Sequence, residues 1–187
     1  RKNETFDKLD PNNEYFEDIY MAQKIDGQWS NIEMLGKEIN TKSHEATVAI
    51  SGDGNTMIIY RTRRNLTGGD LYLTEKLDGE WSKPEKLNDN INTPFQEASA
   101  CLSDDGQVMY FSSTRPEGHG GKDLYIVRRL PTGDWSKAEN LGPNINTKFD
   151  EDAPCINKEQ TALYFSSNGH NTIGGYDIFK VNPEEEF

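Results

Sequence analysis

A repeat with a period of 52 to 54 residues constrains the fold more than any other feature of this sequence. The run Asp-Leu-Tyr-Leu at 70–73 recurs in three variants, at 18–21, 123–126 and 177–180. Two further motifs keep matching intervals: a Trp-Ser pair at 29–30, 81–82 and 135–136, and Ile-Asn-Thr at 39–41, 91–93 and 145–147. Several copies of one supersecondary unit are therefore expected along the chain.

Each copy of the repeat predicts four short strands. The first strand (45–51, EATVAIS, or 97–103, EASACLS) leads through a Gly/Asp turn to a second strand with apolar residues on both faces. A Gly-Gly loop precedes a third strand of alternating pattern, and another turn leads to a fourth strand that contains the tryptophan. Four strands in about 53 residues are typical of a β-propeller blade.

The predicted fold is all-β, a β-propeller with about three and a half blades of four antiparallel strands. We divide the chain into a partial blade, two full blades and a second partial blade, at 1–36, 44–88, 97–142 and 151–181. A closed four-bladed ring would contain a surplus third strand, because 18–21 and 177–180 both occupy that place. We therefore expect a segment of a larger propeller, whose remaining blades come from the same parent chain.

The N-terminal residues 1–16 are expected to form the loop between the second and third strands of the first partial blade. Arg1 then matches Arg63 and Arg115, which follow the second strands of later copies. A disordered N-terminal tail is the alternative. Because the chain begins with Arg and shows no signal peptide, we expect a processed or excised piece of a longer protein.

The net charge of −12, from 20 Lys and Arg against 32 Asp and Glu, argues against several classes of partner. An acidic surface repels phosphate backbones, so no nucleic-acid partner is expected. No apolar stretch reaches the roughly 20 residues that cross a bilayer, so no transmembrane segment is expected. The composition favours a solvated binding protein that attracts cations or basic partners.

The S-x-D-G turn, the Tyr-Phe-Ser-Ser second strand and the G-G-x-D-[LI]-[YF] third strand resemble the WD40-like repeat of TolB-type β-propellers. The best copies are SDDGQVMYFSSTR with GGKDLYI, within 103–126, and TALYFSSNG with GGYDIF, within 161–179. The segment DGEWSKPEKLNDNINTPFQEASA, 78–100, resembles repeats of OmpA-associated envelope proteins of Gram-negative bacteria. The resemblance covers about residues 17–181. It implies a periplasmic, outer-membrane-associated scaffold that binds other proteins, although 58–61 reads Ile-Ile-Tyr-Arg where other copies have Tyr-Phe-Ser-Ser.

Three glutamates open the first strands of successive blades: Glu45, Glu97 and Glu151. First strands line the central channel of a propeller, so these carboxylates are candidates for an acidic ring that binds a cation or a basic side chain. Glu151, within the acidic triplet 150–152, is the strongest cation candidate. The alternative is structural, with each glutamate accepting hydrogen bonds from turn amides or pairing with Arg63 or Arg115.

The recurring aspartates and tryptophans are expected to be structural. The aspartates start the third strands and can accept hydrogen bonds from loop amides, at Asp18, Asp70, Asp123 and Asp177. They lack the spacing of a calcium loop, so neither a metal nor a cofactor is expected. The tryptophans are predicted to cover the outer rim or the blade interface, with sugar stacking as the alternative, at Trp29, Trp81 and Trp135.

Two cysteines occupy equivalent places in adjacent first strands, Cys101 and Cys155, and Ala49 holds that place in the preceding blade. A small, buried packing site with free thiols is expected there. The histidines share no repeat position. His119 and His170 lie in loops between second and third strands, where loop hydrogen bonding is the expected role.

No nucleophile elbow, His-Glu-x-x-His or Cys-x-x-Cys motif is present, so no catalytic residues are assigned. Our leading hypothesis is a non-catalytic module that binds an envelope protein, or a cell-wall glycan, through variable loops such as 63–69 and 115–122. The first alternative is a carbohydrate-active or peptide-cleaving enzyme that uses Glu97 and Glu151. The second is a structural spacer. The candidate binding residues are Glu45, Glu97, Glu151, Arg63, Arg115, His119 and His170.

Overall fold

The structure, a computed structural model, describes residues 9–183 as β-strands joined by turns and loops. The prediction that Arg1 continues the pattern of Arg63 and Arg115 lies outside the described residues. Four short strands come first, β1 (Tyr20–Met21), β2 (Lys24–Ile25), β3 (Gln28–Trp29) and β4 (Glu33–Met34). β1 pairs with β4 and β2 with β3, all antiparallel, so this segment supplies two adjacent, interrupted strands.

Two larger antiparallel sheets follow. The first contains β5 (Glu45–Ile50), β6 (Thr56–Thr62), β7 (Gly69–Leu77), β8 (Glu80–Trp81) and β9 (Glu85–Lys86). Its strands are ordered as in the sequence, and both β8 and β9 pair with β7. The second contains β10 (Ala100–Leu102), β11 (Val108–Ser113), β12 (Asp123–Arg128) and β13 (Glu139–Asn140), again in sequence order.

A three-stranded sheet completes the described chain, with β14 (Glu151–Ile156), β15 (Leu163–Ser167) and β16 (Asp177–Val181). The all-β prediction, with antiparallel blades and a partial propeller, is confirmed. Within residues 9–183, no helix is long and apolar enough to span a membrane.

The predicted fourth strand is divided into two short pieces in each blade because a serine side chain enters the ladder. After the tryptophan, Ser82 donates its amide to the Glu75 carbonyl (2.8 Å), and its hydroxyl accepts the Glu75 amide (3.1 Å). Ser136 makes the same pair of contacts with Arg128. The hydroxyl replaces a backbone acceptor, which explains why each tryptophan is followed by serine.

The asparagine of each Ile-Asn-Thr motif joins the third strand to the connection between blades. Asn92 is buried; its side-chain oxygen accepts the Leu71 amide (2.7 Å), and its side-chain amide donates to the carbonyls of Leu71 and Leu87 (both 2.8 Å). Asn40 and Asn146 make equivalent contacts with Ile19 and Leu124. In the 44–88 blade the Asn92 side chain supplies the acceptor for the Leu71 amide and a second donor for the Leu71 carbonyl, which also accepts the Leu87 amide (3.0 Å).

Replacing Asn92 with alanine is expected to lower the free energy of unfolding by about 2–3 kcal/mol, because the Leu71 amide loses its acceptor and the carbonyls of Leu71 and Leu87 each lose a donor. Chemical denaturation measures this change. Asn31→Ala, at an exposed position, is the matched control and is expected to stay within about 0.5 kcal/mol of the parent chain. Equal stabilities for the two variants would contradict the assigned role of Asn92.

The hydrophobic core lies between blades, in three clusters. The largest joins the two full blades, with Ile58 and Leu71 packed against Phe111, Val127 and Trp135. A second cluster joins the 97–142 blade to the C-terminal sheet, and a third joins β1 and β4 to the 44–88 blade. Each blade is therefore stabilised by the face of its neighbour.

The expectation of a buried packing site for both cysteines is wrong at Cys155. Ala49 is buried, Cys101 is partly buried and Cys155 is exposed. The first strands pack side by side, so β10 covers Ala49 and β14 covers Cys101. Within the described residues no further first strand follows β14, which leaves Cys155 open to solvent.

Candidate functional site

The loops between second and third strands lie at the same end of the blades as the connections between blades. Gly121 donates its amide to the Phe149 carbonyl (2.9 Å), and Lys122 donates its own to Asp150 Oδ1 (2.9 Å). A Cβ atom at Gly120 would lie 2.2 Å from the Phe149 carbonyl oxygen, so this close approach requires glycine. We call this end, formed by residues 63–69, 93–97, 115–122, 147–151 and 168–176, the loop face.

Glu97 holds one connection of the loop face in shape from inside. Its side chain is fully buried, and its carboxylate accepts the Thr93 amide (3.1 Å), the Thr93 hydroxyl (2.7 Å) and the Ser113 hydroxyl (2.7 Å). Arg115 Nη2 lies 3.6 Å from the same carboxylate. A buried carboxylate with this many donors is a fixed structural element.

Glu45 and Glu151 occupy equivalent buried positions. Glu151 accepts the Thr147 amide and hydroxyl (both 2.8 Å) and the Ser167 hydroxyl (2.7 Å). Glu45 contacts Thr41 in the same way but pairs with Arg61 Nε (2.9 Å), because Arg61 stands where the other blades have serine. Burial raises the pKa of Glu45. The buried arrangement described by the structural alternative thus recurs at all three glutamates, with Arg61 as the partner of Glu45.

Arg63 and Arg115 follow the second strands but make different contacts. Arg115 donates to the carbonyls of Asn90 (3.1 Å) and Ile91 (2.9 Å), and its guanidinium lies 4.7 Å from the Tyr125 ring centroid. Arg63 donates to Asp70 (3.0 Å). Burial acts to raise the pKa of Asp70, but the bonds from Arg63 and Lys86 lower it overall.

Two of the third-strand aspartates, Asp123 and Asp177, stabilise the loops that precede them, whereas Asp70 pairs with Arg63 and Lys86. Asp123 is buried and accepts the amides of His119 and Gly120, and Asp177 accepts the Ile173 amide (2.8 Å). Asp18 precedes β1. His119 is an exposed residue of the loop face.

The side chain of His170 packs under the loop face. Its Nε2 lies 2.9 Å from the Ile145 carbonyl oxygen, and its ring contacts Phe165 and Phe179, with a centroid distance of 4.9 Å to the latter. From the sequence, His119 and His170 were predicted to share a role as loop residues. The structure places His119 on the surface and packs His170 against aromatic rings.

The carboxylates of the acidic triplet 150–152 accept hydrogen bonds from other groups of the same chain. Asp152 accepts hydrogen bonds from Lys122, Ser99 and Ser112. Burial acts to raise the pKa of Asp152, and these three donors lower it overall. Within residues 9–183, no three His, Cys, Asp or Glu side chains are grouped so that they could hold a metal ion.

Two phenylalanines that sequence reasoning missed project from the loop face. Phe95 and Phe149 hold equivalent positions, and each is 45% exposed. Each donates its amide to the hydroxyl of the threonine two residues earlier (3.1 Å in both), and that threonine is held by the buried glutamate. The sequence feature that could have identified them is an aromatic residue two places after Ile-Asn-Thr in two copies. The first copy has Ser43 at that place.

A polar groove lies beside the Phe95 connection. It has a volume of about 530 Å³ and is lined by Arg63, Asp70, Lys86 and the 92–94 segment, among others. Lys86 Nζ and Arg63 Nη2 both contact Asp70, at 3.0 Å. The loop face thus combines exposed aromatic rings with a groove in which Asp70 is paired with Arg63 and Lys86.

The fold is that of a β-propeller segment, similar to the propellers of solved TolB structures. Solved structures support this class: a protein assigned as TolB from Agrobacterium tumefaciens matches with a TM-score of 0.58 and 15% identity. That match covers 93% of this chain and 59% of the other. TolB from Acinetobacter baumannii matches with a TM-score of 0.53 and 12% identity, over 84% of this chain and 33% of the other.

The chain therefore spans about three fifths and one third of these two proteins. At these identities the likeness concerns the fold. No protein-family model matches the sequence. A search of curated proteins also found no significant match.

Proposed function

We propose that this chain is part of a non-catalytic β-propeller module that binds another protein in the cell envelope of Gram-negative bacteria. Its location would be the periplasm, in association with the outer membrane and with OmpA-type envelope proteins. The similarity of the fold to TolB structures and the repeat resemblance support this setting. The observation that carries the binding role is the pair of half-exposed rings, Phe95 and Phe149, held by buried glutamates.

These rings suit protein recognition because their backbone is already ordered. The bonds from Thr93 to Glu97 and from Phe95 to Thr93 hold the turn before any partner arrives. A preorganised aromatic side chain loses little conformational freedom on binding. Aromatic residues at the centre of an interface often supply much of its affinity.

The loops around the rings supply the variable part of the surface. The segments 63–69, 115–122 and 168–176 differ in length and sequence, and they flank the two phenylalanines. Ile173, at the tip of the third loop, is almost fully exposed. A rigid scaffold with differing loops is a common basis for specific binding. Arg63 and His119 belong to this proposed contact surface, while Glu45, Glu97, Glu151, Arg115 and His170 hold its shape.

The alternative of acid–base catalysis by Glu97 and Glu151 lacks an accessible carboxylate. Both side chains are fully buried and accept three or more hydrogen bonds or ion-pair contacts from their own blade or its connection. A general acid or base must reach the proton that it transfers. The burial of both carboxylates therefore favours a structural role over catalysis at these positions.

Further blades of a parent chain would complete the propeller. Leu71 and Leu124 are fully buried between blades, whereas Ile178, at the equivalent place in β16, is 78% exposed. Tyr164 is also exposed, although the equivalent Tyr110 is buried. The equivalent apolar face is covered by the following blade in two copies and exposed in the third. A further blade packed on that third face would explain the difference.

The binding role is tested with the double variant Phe95→Ser, Phe149→Ser. Capture of envelope proteins by the immobilised chain, quantified by mass spectrometry, is expected to fall at least tenfold, as the loss of two aromatic anchors predicts. The melting temperature should stay within a few degrees, since both rings are half-exposed.

Leu77→Ser is the matched control, because Leu77 is exposed at the opposite end of the blades and its loss should leave capture unchanged. An unchanged capture profile in the double variant would overturn the assigned surface. Retention on purified peptidoglycan would instead support the glycan partner. The absence of any reproducible partner would support the structural spacer.

A further inference from the structure

The two cysteines of this chain lie in adjacent strands at one blade interface. Cys101 in β10 and Cys155 in β14 lie in neighbouring first strands, and the Ile156 amide donates to Cys101 Sγ (3.2 Å). Because the Ile156 nitrogen is bonded directly to the carbonyl carbon of Cys155, this contact places Cys101 Sγ beside the Cys155 backbone. A second tie, from the Ala153 amide to Ser99 Oγ (3.2 Å), holds the strands together on the other side of Cys155.

The two thiols differ in accessibility, and burial alters the acidity of Cys101. Cys155 is exposed, while Cys101 is partly covered by β14. Burial raises the pKa of Cys101 to about 11. A small oxidant therefore meets Cys155 first, and Cys101 is placed to act as the second, resolving thiol.

We propose that Cys101 and Cys155 form a reversible disulfide that links adjacent blades, made by exchange with a small-molecule disulfide such as oxidised glutathione. The Cys155 thiolate attacks one sulfur of the oxidant, which breaks its disulfide bond and releases one molecule of thiol. The Cys101 thiolate then attacks the Cys155 sulfur and displaces the second thiol. The two cysteines lose two electrons and two protons, and the oxidant is reduced to two thiols.

The proposed redox role of Cys101 and Cys155 differs from the packing role that the repeat alone would assign to them. Ala49 fills the equivalent place in the 44–88 blade, so the fold does not require sulfur there. Only the interface between β10 and β14 carries a thiol on both sides. The link would close a loop of the chain from 101 to 155, which includes the second, third and fourth strands of the 97–142 blade. Closing so long a loop restricts the unfolded chain and stabilises the folded one.

The proposal is tested by incubating the folded chain with oxidised glutathione and then counting thiols after denaturation. Both thiols are expected to disappear, with the loss of two hydrogens in the intact mass and a crosslinked 101–155 peptide. The melting temperature should rise by roughly 5–15 °C and return on reduction. Two serine variants serve as controls: Cys101→Ser should retain glutathione on Cys155, and Cys155→Ser should show no rise.

The proposal would be overturned by any of three results in the parent chain. These are two free thiols after an incubation that modifies Cys155 in Cys101→Ser, a lasting glutathione adduct on Cys155, or a disulfide between two chains. The main measurement is made on the parent chain, so it can be interpreted even if either serine variant fails to fold. The test is independent of the proposed partner binding.

Discussion

Replacing Glu97 with alanine is expected to lower the free energy of unfolding by about 3–5 kcal/mol, as the loss of one partner in a buried charged network does. The carboxylate is fully buried and accepts hydrogen bonds from Thr93 and Ser113, with Arg115 close by. Without it, the Thr93 amide and the hydroxyls lose their acceptor, and the Arg115 charge loses its nearest carboxylate. Urea denaturation followed by tryptophan fluorescence measures the change.

The conservative variant Glu97→Gln separates shape from charge. Its amide oxygen can still accept from Thr93, so a smaller loss of about 1–2 kcal/mol is expected. Glu117→Ala, in an exposed position of the 115–122 loop, is the matched surface control and should change stability by less than about 0.5 kcal/mol. A Glu97→Ala chain as stable as Glu117→Ala would refute the structural role of the glutamate.

The second large effect is expected at Trp135, whose replacement by alanine should cost about 3–5 kcal/mol. Its side chain is 3% exposed and packs in the core cluster shared with the preceding blade. The equivalent Trp29 is 70% exposed. Trp29→Ala is therefore expected to cost only about 0.5 kcal/mol or less, although both residues occupy the same place in the repeat.

The surroundings of Trp29 and Trp135 within their own blades are alike. A difference in stability between Trp29→Ala and Trp135→Ala therefore reports packing against the preceding blade. Lys24 Nζ lies 5.9 Å from the Trp29 ring, and Arg129 Cζ lies 5.9 Å from the Trp135 ring. Calorimetric unfolding is the suitable measurement, because removing a tryptophan alters fluorescence. Equal losses in the two variants would mean that burial against the preceding blade does not decide the energetics.

The strands and their order could be predicted because their signals lie in contiguous residues. Alternating apolar positions and Gly/Asp turns specify each strand locally, and the repeat then predicts the blades. The division of the fourth strand was not predictable in this way. It depends on the Ser82 hydroxyl replacing a backbone acceptor of Glu75 across the hairpin.

The candidate site was predicted only in outline. The loops and the recurring glutamates were identified, but Glu45 pairs with Arg61, whereas Arg63 pairs with Asp70. Phe95 and Phe149 were missed because the aromatic residue recurs in only two of the three connections, and the first connection has Ser43 at that place. Their exposure follows from the tight turn that Thr93 and Thr147 hold from inside.

The repeated pattern by itself determined that this chain forms propeller blades, since strand periodicity and turn chemistry are properties of neighbouring residues. Only the tertiary structure decided which copies of a repeated residue are buried. Trp29 and Trp135, or Ala49 and Cys155, are equivalent in sequence but differ in exposure. The physical reason is that each blade face is covered by the adjacent blade, so burial depends on residues about 50 positions away.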